Sequence, residues 1–195
     1  DEIRSRLHAR PVILQVPMGS GESFRGQINL VTRKALFYDP AKIATDLRVT
    51  DVPEEYVDRV EAARHDLIEA VAEVDEALMA KYVHEEPIAE ADLRAAIRRA
   101  TLAGIIQPVL CGSALKHMGV RPLLDAVVHY LPSPLDVPPV VGHEGLKGDK
   151  TVTRAADESE PFAGLVFKIA SDQHGDLYFT RVYSGVLKKI GRAHV

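Results

Sequence analysis

The chain has 195 residues, 24 Lys+Arg against 28 Asp+Glu, a formal charge of −4, and 46% hydrophobic and 27% charged residues. That balance excludes a disordered or fibrous chain and supplies enough apolar side chain for one or two small cores. A single Cys excludes an intrachain disulfide framework, and no apolar run approaches the roughly 18 residues of a membrane span.

A mildly acidic total argues against general nucleic-acid binding by charge, while leaving room for a local basic face. DEIRSRLHAR is a charged amphipathic opening, not a signal sequence. The expectation is a cytoplasmic chain with neither a membrane nor DNA as partner.

In residues 1–8, Ile3 and Leu7 lie four apart among charged residues, so a helix presents both on one face. Arg10-Pro11 stops it, because the residue before proline is pushed out of the helical region. Opening on a helix tail without a cap, the chain reads as the interior of a longer one. PVILQVPMG (11–19) predicts one apolar strand, closed by the turn-rich GSGE. FRGQINLV (24–31) and KALFYD (34–39) supply two more β segments, together a small antiparallel unit. Met18-Gly19-Ser20-Gly21 is a turn, without the GxxxxGK[ST] order that wraps phosphates.

From Asp51 the period changes. Val57, Val60, Ala63, Leu67, Ile68, Val71, Val74 and Leu78 recur at helical intervals, predicting one long helix. Asp51 or Thr50 is placed to cap it, with Pro53 in the first turn. A second helix, 89–104, carries Leu93, Ile97 and Leu102 and ends at Gly104. From Glu54 to Asp92 thirteen acidic residues face three basic ones, Arg59, Arg64 and Lys81. Such a stretch is either a solvated helix face or a docking surface for a basic partner.

IIQPVLC (105–111) is a strand, GSALKHMGV a loop and VRPLLDAVVHYL (120–131) a helix. Strand, small-residue loop, helix is the order of α/β units whose loops at strand carboxyl ends bind ligands. PSPLDVPPV (132–140), with four prolines in nine residues, is a connector. The polar stretch 140–160 is expected to be mobile. FAGLVFKIA and DLYFTRVYSGVL flank SDQHG as a hairpin, the first strands of a barrel too short to stand as a domain.

Little of this supports catalysis. Cys111 has no base within evident reach and reads as a packing residue. The eight histidines, at 8, 65, 84, 117, 129, 143, 174 and 194, form no short ligand cluster, so no metal site is expected. Glu69, Glu73 and Glu76 fall on one helical face, a solvated stripe rather than an acid/base pair. GxGxxG, HExxH and GxSxG are absent, and no catalytic residue is assigned. The specific segment is CGSALKHMGV, where Gly112, Ser113 and Ala114 after an apolar strand let backbone N–H groups approach a planar ligand edge.

FRGQINLVTRKALFY, PVLCGSALKHMGVRPLLDAVVHYLPSPLDVPP and PFAGLVFKIASDQHGDLYFTRVYSG together resemble the bacterial elongation factor G family, the ribosomal translocation GTPases. The likeness keeps its order over residues 1–187. It implies an α/β fold: the C-terminal part of a P-loop GTPase domain with an inserted α/β subdomain, then the first strands of a translation-factor β-barrel. In that frame residues 1–16 belong to the GTPase core and 17–104 to the inserted subdomain. Residues 105–140 end the core with the guanine-recognition loop and final helix, 141–159 form a linker, and 160–195 start the second, barrel domain.

The resemblance places the family's fifth GTPase motif at Ser113-Ala114-Leu115. Ala114 would donate its backbone N–H to the guanine oxygen, Ser113 would support the loop and Leu115 would line the base pocket. It implies GTP/GDP and Mg2+ as cofactors of the parent protein. The fragment alone is expected to bind neither, because it lacks a phosphate-binding loop, a DxxG-type switch and NKxD. The ribosome and its stalk protein are the implied partners, the latter on the acidic helices through candidates Glu61, Glu69, Glu73 and Glu76. A ribosomal-protection or mitochondrial-type relative, and a stand-alone interaction module using the acidic face, are the alternatives. The sequence departs from the family at Gln173, where proline is common, and in GVLKKIGRAHV, so Gly191–Val195 are assigned no function.

Overall fold

The computed structural model describes residues 2–38, 47–145, 150–173 and 175–188. Asp39, His174, His194 and the divergent Gly191–Val195 end lie outside the described residues. The fold is mixed α/β with several small sheets. Its contacts divide into two units, residues 1–131 and 132–195. Among the described residues no helix is long and apolar enough to cross a membrane.

The first unit runs α1 (Glu2–Leu7), β1 (Pro11–Ile13), β2 (Gln15–Met18), β3 (Gly26–Asn29), β4 (Lys34–Tyr38), β5 (Leu47–Asp51), α2 (Val57–Ala72), α3 (Glu76–Val83), α4 (Glu90–Leu102), β6 (Gln107–Val109) and α5 (Val120–Tyr130). The apolar run expected to be one strand is two. β1 pairs in parallel with β6, while β2, β3, β4 and β5 form an antiparallel sheet in that order. Leu14 sits at the break. Its N–H donates to the Val109 carbonyl and its own carbonyl accepts from the Leu30 N–H, both at 2.9 Å, so one residue bonds to both sheets.

Strand registers sort the sheet residues into two faces. Val16, Met18, Ile28 and Ala35 fall on one, and all are buried in a core with Val60, Leu67 and Val71 of α2, Leu78 of α3, and Leu93 and Ile97 of α4. Burying each of the larger side chains contributes about 1.5–3 kcal/mol. Gln15, Gln27, Leu36 and Tyr38 fall on the opposite face. α1 contributes nothing to the core: Ile3 and Leu7, expected to share one helical face, are exposed.

Thr50 and Asp51 are not helix caps. They end β5, which pairs with β4, and the Asp51 carboxylate takes Lys34 Nζ at 2.6 Å across the strands. Two charged residues in five hide this strand's alternation. Pro53 leads instead into a short 3-10 turn, Glu54–Tyr56, ahead of α2.

The second unit holds two antiparallel hairpins, β7 (Val140–His143) with β8 (Thr151–Arg154), and β9 (Ala163–Asp172) with β10 (Gly175–Ser184). The long hairpin matches the sequence pattern. The short one lies in the polar stretch 140–160, where Val140, Val141, Thr151, Val152 and Thr153 are β-branched residues at paired positions. In the proline-rich connector, Asp136 accepts from the Ser133 N–H and hydroxyl, each at 2.7 Å.

The long acidic helix is also two. Asp75 ends it by capping α3: its carboxylate accepts from the Leu78 N–H at 3.0 Å and from Arg99 Nε at 2.7 Å, tying α3 to α4. Asp75 is buried, and the Arg99 hydrogen bond holds its carboxyl below the usual carboxylate range. A folded-state pKa below the unfolded value stabilises fully above the unfolded pKa and is lost as pH falls through the folded one. Asp75→Ala therefore costs about 2 kcal/mol at neutral pH. Urea unfolding checks this: the gap to wild type must narrow in acid, and an equal gap at pH 7 and pH 3 would remove the charge from the account.

Candidate functional site

β6 delivers the chain to a loop that closes on itself before α5 begins. Ser113 and Met118 exchange both backbone hydrogen bonds, at 2.9 and 3.0 Å, pinching off a four-residue tip, Ala114 to His117. Within the tip the His117 N–H donates to the Ala114 carbonyl at 3.1 Å, and the Lys116 N–H donates to Ser113 Oγ at 3.4 Å. The closure demands glycine on both sides. A Cβ at Gly112 would lie 2.7 Å from the Met118 carbonyl oxygen, and Gly119 has φ +86 with Cys111 and Gly112 backbone atoms at 3.0 Å from such a Cβ.

The pinch leaves the tip facing solvent. Met118 is buried, whereas Ala114 is exposed and Leu115 is 92% exposed. Among the described residues, the Ala114 N–H donates to no acceptor. The three residues singled out from sequence thus sit together on a fixed loop: one hydroxyl folded inward, one unused amide and one bare leucine.

Three residues that the sequence reading missed stand behind this loop. Cys111 N–H donates to Gln15 Oε1 at 3.2 Å, and Gln27 Nε2 donates to the Tyr38 hydroxyl at 2.9 Å. Burial pushes the Tyr38 phenol up, opposed by hydrogen bonds from Gln27 and the Gly119 backbone. Burial also raises the Cys111 thiol, which keeps it neutral and unreactive. The available signal was two glutamines at strand positions amid apolar neighbours, polar groups that must find partners when buried.

The acidic candidates do not form one free stripe. Glu61 pairs with Arg33 and Glu73 with Arg10. Glu69 on α2 and Glu76 on α3 are exposed, on different helices, and have no ion-pair partner among the described residues. No group of three or more His, Cys, Asp or Glu able to hold a metal occurs among the described residues. A cavity of about 410 Å³ lies between the sheet and α5. Two of its cations are already paired, Lys34 with Asp51 and Arg94 with Glu90, and its lining also includes Arg121, Asp125 and His129 of α5.

No family model matches the chain. It is similar to a solved structure, that of ttk003000868 from Thermus thermophilus, with 27% identity and a TM-score of 0.68 over 94% of this chain and 24% of that one. The chain thus spans about a quarter of the length of the solved chain it matches.

The loop geometry makes a direct demand on Gly119. Gly119→Ala forces a side chain into the left-handed region against two backbone atoms and is expected to cost about 1–3 kcal/mol. Thermal unfolding with hydrogen exchange at 112–118 checks it. A variant as stable and as protected as wild type would show that the pinch does not depend on this residue.

Proposed function

We propose that the chain is part of a translational GTPase of the elongation factor G type, acting in polypeptide elongation in the cytoplasm, and that Cys111–Gly119 is its guanine-recognition loop. The observation that carries this reading is the unused Ala114 amide on a rigid, exposed tip at the carboxyl end of β6. A backbone donor there favours the O6 acceptor of guanine. Adenine offers an amino donor at that position, so two donors would meet and both stay unpaired. The exposed Leu115 supplies apolar surface for the flat of the base, and Ser113 stiffens the turn through Lys116. In this reading residues 17–104 are the inserted subdomain, and residues from 160 begin a β-barrel domain.

The residues present suit the edge of a guanine base and nothing more of the nucleotide. The parent's phosphate loop and its Mg2+ would supply charge neutralisation for phosphoryl transfer; this chain's part is to read the base. The 195 residues alone are expected to show no GTP turnover above blank and no GDP binding at micromolar concentrations. Joined behind a segment carrying GxxxxGK[ST] and NKxD, the chain is expected to bind GDP. Ala114→Pro, which deletes the amide, then weakens GDP about tenfold without improving ADP. Equilibrium binding with labelled GDP decides it: micromolar affinity of the chain alone, or indifference to Ala114→Pro, overturns the proposal.

The same reading gives the acidic helices a basic partner, the ribosomal stalk protein. Glu69 and Glu76 are its free anchors, while Glu61 and Glu73 would have to exchange Arg33 and Arg10 for the partner's cations. Exposed pairs of this kind are worth at most about 1 kcal/mol, so the exchange costs little. Glu69→Lys with Glu76→Lys should weaken stalk-domain binding at least about tenfold at low salt, with the gap closing as salt rises. No binding by wild type at low salt would sink the assignment.

A further inference from the structure

Gln15, Gln27 and Tyr38 come from three neighbouring strands and share the sheet face opposite the apolar core. All three are buried. Between them they reach both stems of the 111–119 loop. At the entry, Gln15 Oε1 takes the Cys111 N–H at 3.2 Å. At the exit, a Cβ on Gly119 would lie 3.3 Å from Gln27 Nε2, and the Gly119 backbone is near enough to the Tyr38 phenol to oppose its upward pKa shift. The Gln27–Tyr38 hydrogen bond links the two residues at the exit.

Two details separate this arrangement from ordinary packing. Gln15 Nε2 and Gln27 Oε1 are buried without partners, a cost that apolar side chains at these strand positions would avoid. The sheet's bonds also go only to the stems. Among the described residues, none of its side chains bonds to the tip from Ala114 to His117.

We infer that Gln15, Gln27 and Tyr38 are positioning residues for the loop, through which the four-stranded sheet fixes the direction in which the Ala114 amide is presented. What the amide meets rests on the guanine-loop reading; how the loop is held does not. The sheet therefore does more than carry the acidic helices. It is the mould of the ligand loop.

Hydrogen exchange over 111–119 and the rate of Cys111 modification by a small aromatic disulfide test this on the full 195-residue chain, with urea unfolding run alongside. Gln15→Leu is expected to speed both Cys111 amide exchange and thiol modification about tenfold, leaving α2 and α4 amides unchanged. Gln15→Glu, which keeps an acceptor at the same reach, restores the slow rates. Tyr38→Phe, which deletes the acceptor of Gln27 Nε2, speeds exchange at Gly119 and not at Cys111, and it decides the case if Gln15→Leu does not fold. Unchanged loop exchange in the folded variants overturns the inference. So does acceleration spread evenly over loop, sheet and helices, which would mean packing alone. If the loop responds as expected while the joined chain fails to bind GDP, the nucleotide reading falls and the positioning role stands.

Discussion

Leu14 is the residue on which the first unit turns. Its N–H belongs to the parallel pair and its carbonyl to the antiparallel sheet, at 2.9 Å each. Neither sheet can shift its register without breaking a bond at this buried position. The consequence reaches the loop directly. With Leu14 fixed against Val109, the next residue on one strand, Gln15, comes to lie beside Cys111, two residues beyond Val109 on the other. The geometry of the candidate site is thus set by where one strand ends and the next begins, before any side chain in the loop is considered.

The two faces of the sheet then do different chemistry. One is apolar and holds the helices through transfer of Val16, Met18, Ile28 and Ala35 from water. The other carries Gln15, Gln27 and Tyr38, whose hydrogen bonds are directional. Two amide atoms there stay unpaired, at about 1–3 kcal/mol each. An apolar face tolerates small displacements because contact is non-directional. A hydrogen-bonded face does not, and it is the one turned to the loop.

The elements legible in the sequence were those whose signal is long or steric. α4 shows its periodicity and its terminal Gly104, at φ +71, and β9–β10 its two apolar runs about a turn. The loop was legible from the small residues Gly112, Ser113 and Ala114 after an apolar strand, and the structure adds that a Cβ has no room at Gly112 or Gly119. What escaped depended on partners far along the chain. β5 is visible only once β4 lies beside it. The apolar period runs straight through Asp75, so the helix break there follows from a cap and from Arg99, 24 residues away. Gln15 finds its partner 96 residues on, at Cys111. No local pattern announces a pairing at that range.

The acidic helices and the loop stand on opposite faces of one sheet, and β2 serves both. Val16 and Met18 face α2 and α4, while Gln15 faces Cys111. A load on the helices that displaced β2 would be absorbed first by the directional face, because a hydrogen bond weakens steeply with angle while apolar contact does not. The charge distribution suits such an arrangement. Glu61 and Glu73 are held by Arg33, at the β3–β4 turn, and by Arg10, which immediately precedes β1. A basic partner competing for these carboxylates would release the arginines at the two ends of the segment that contains Gln15 and Gln27.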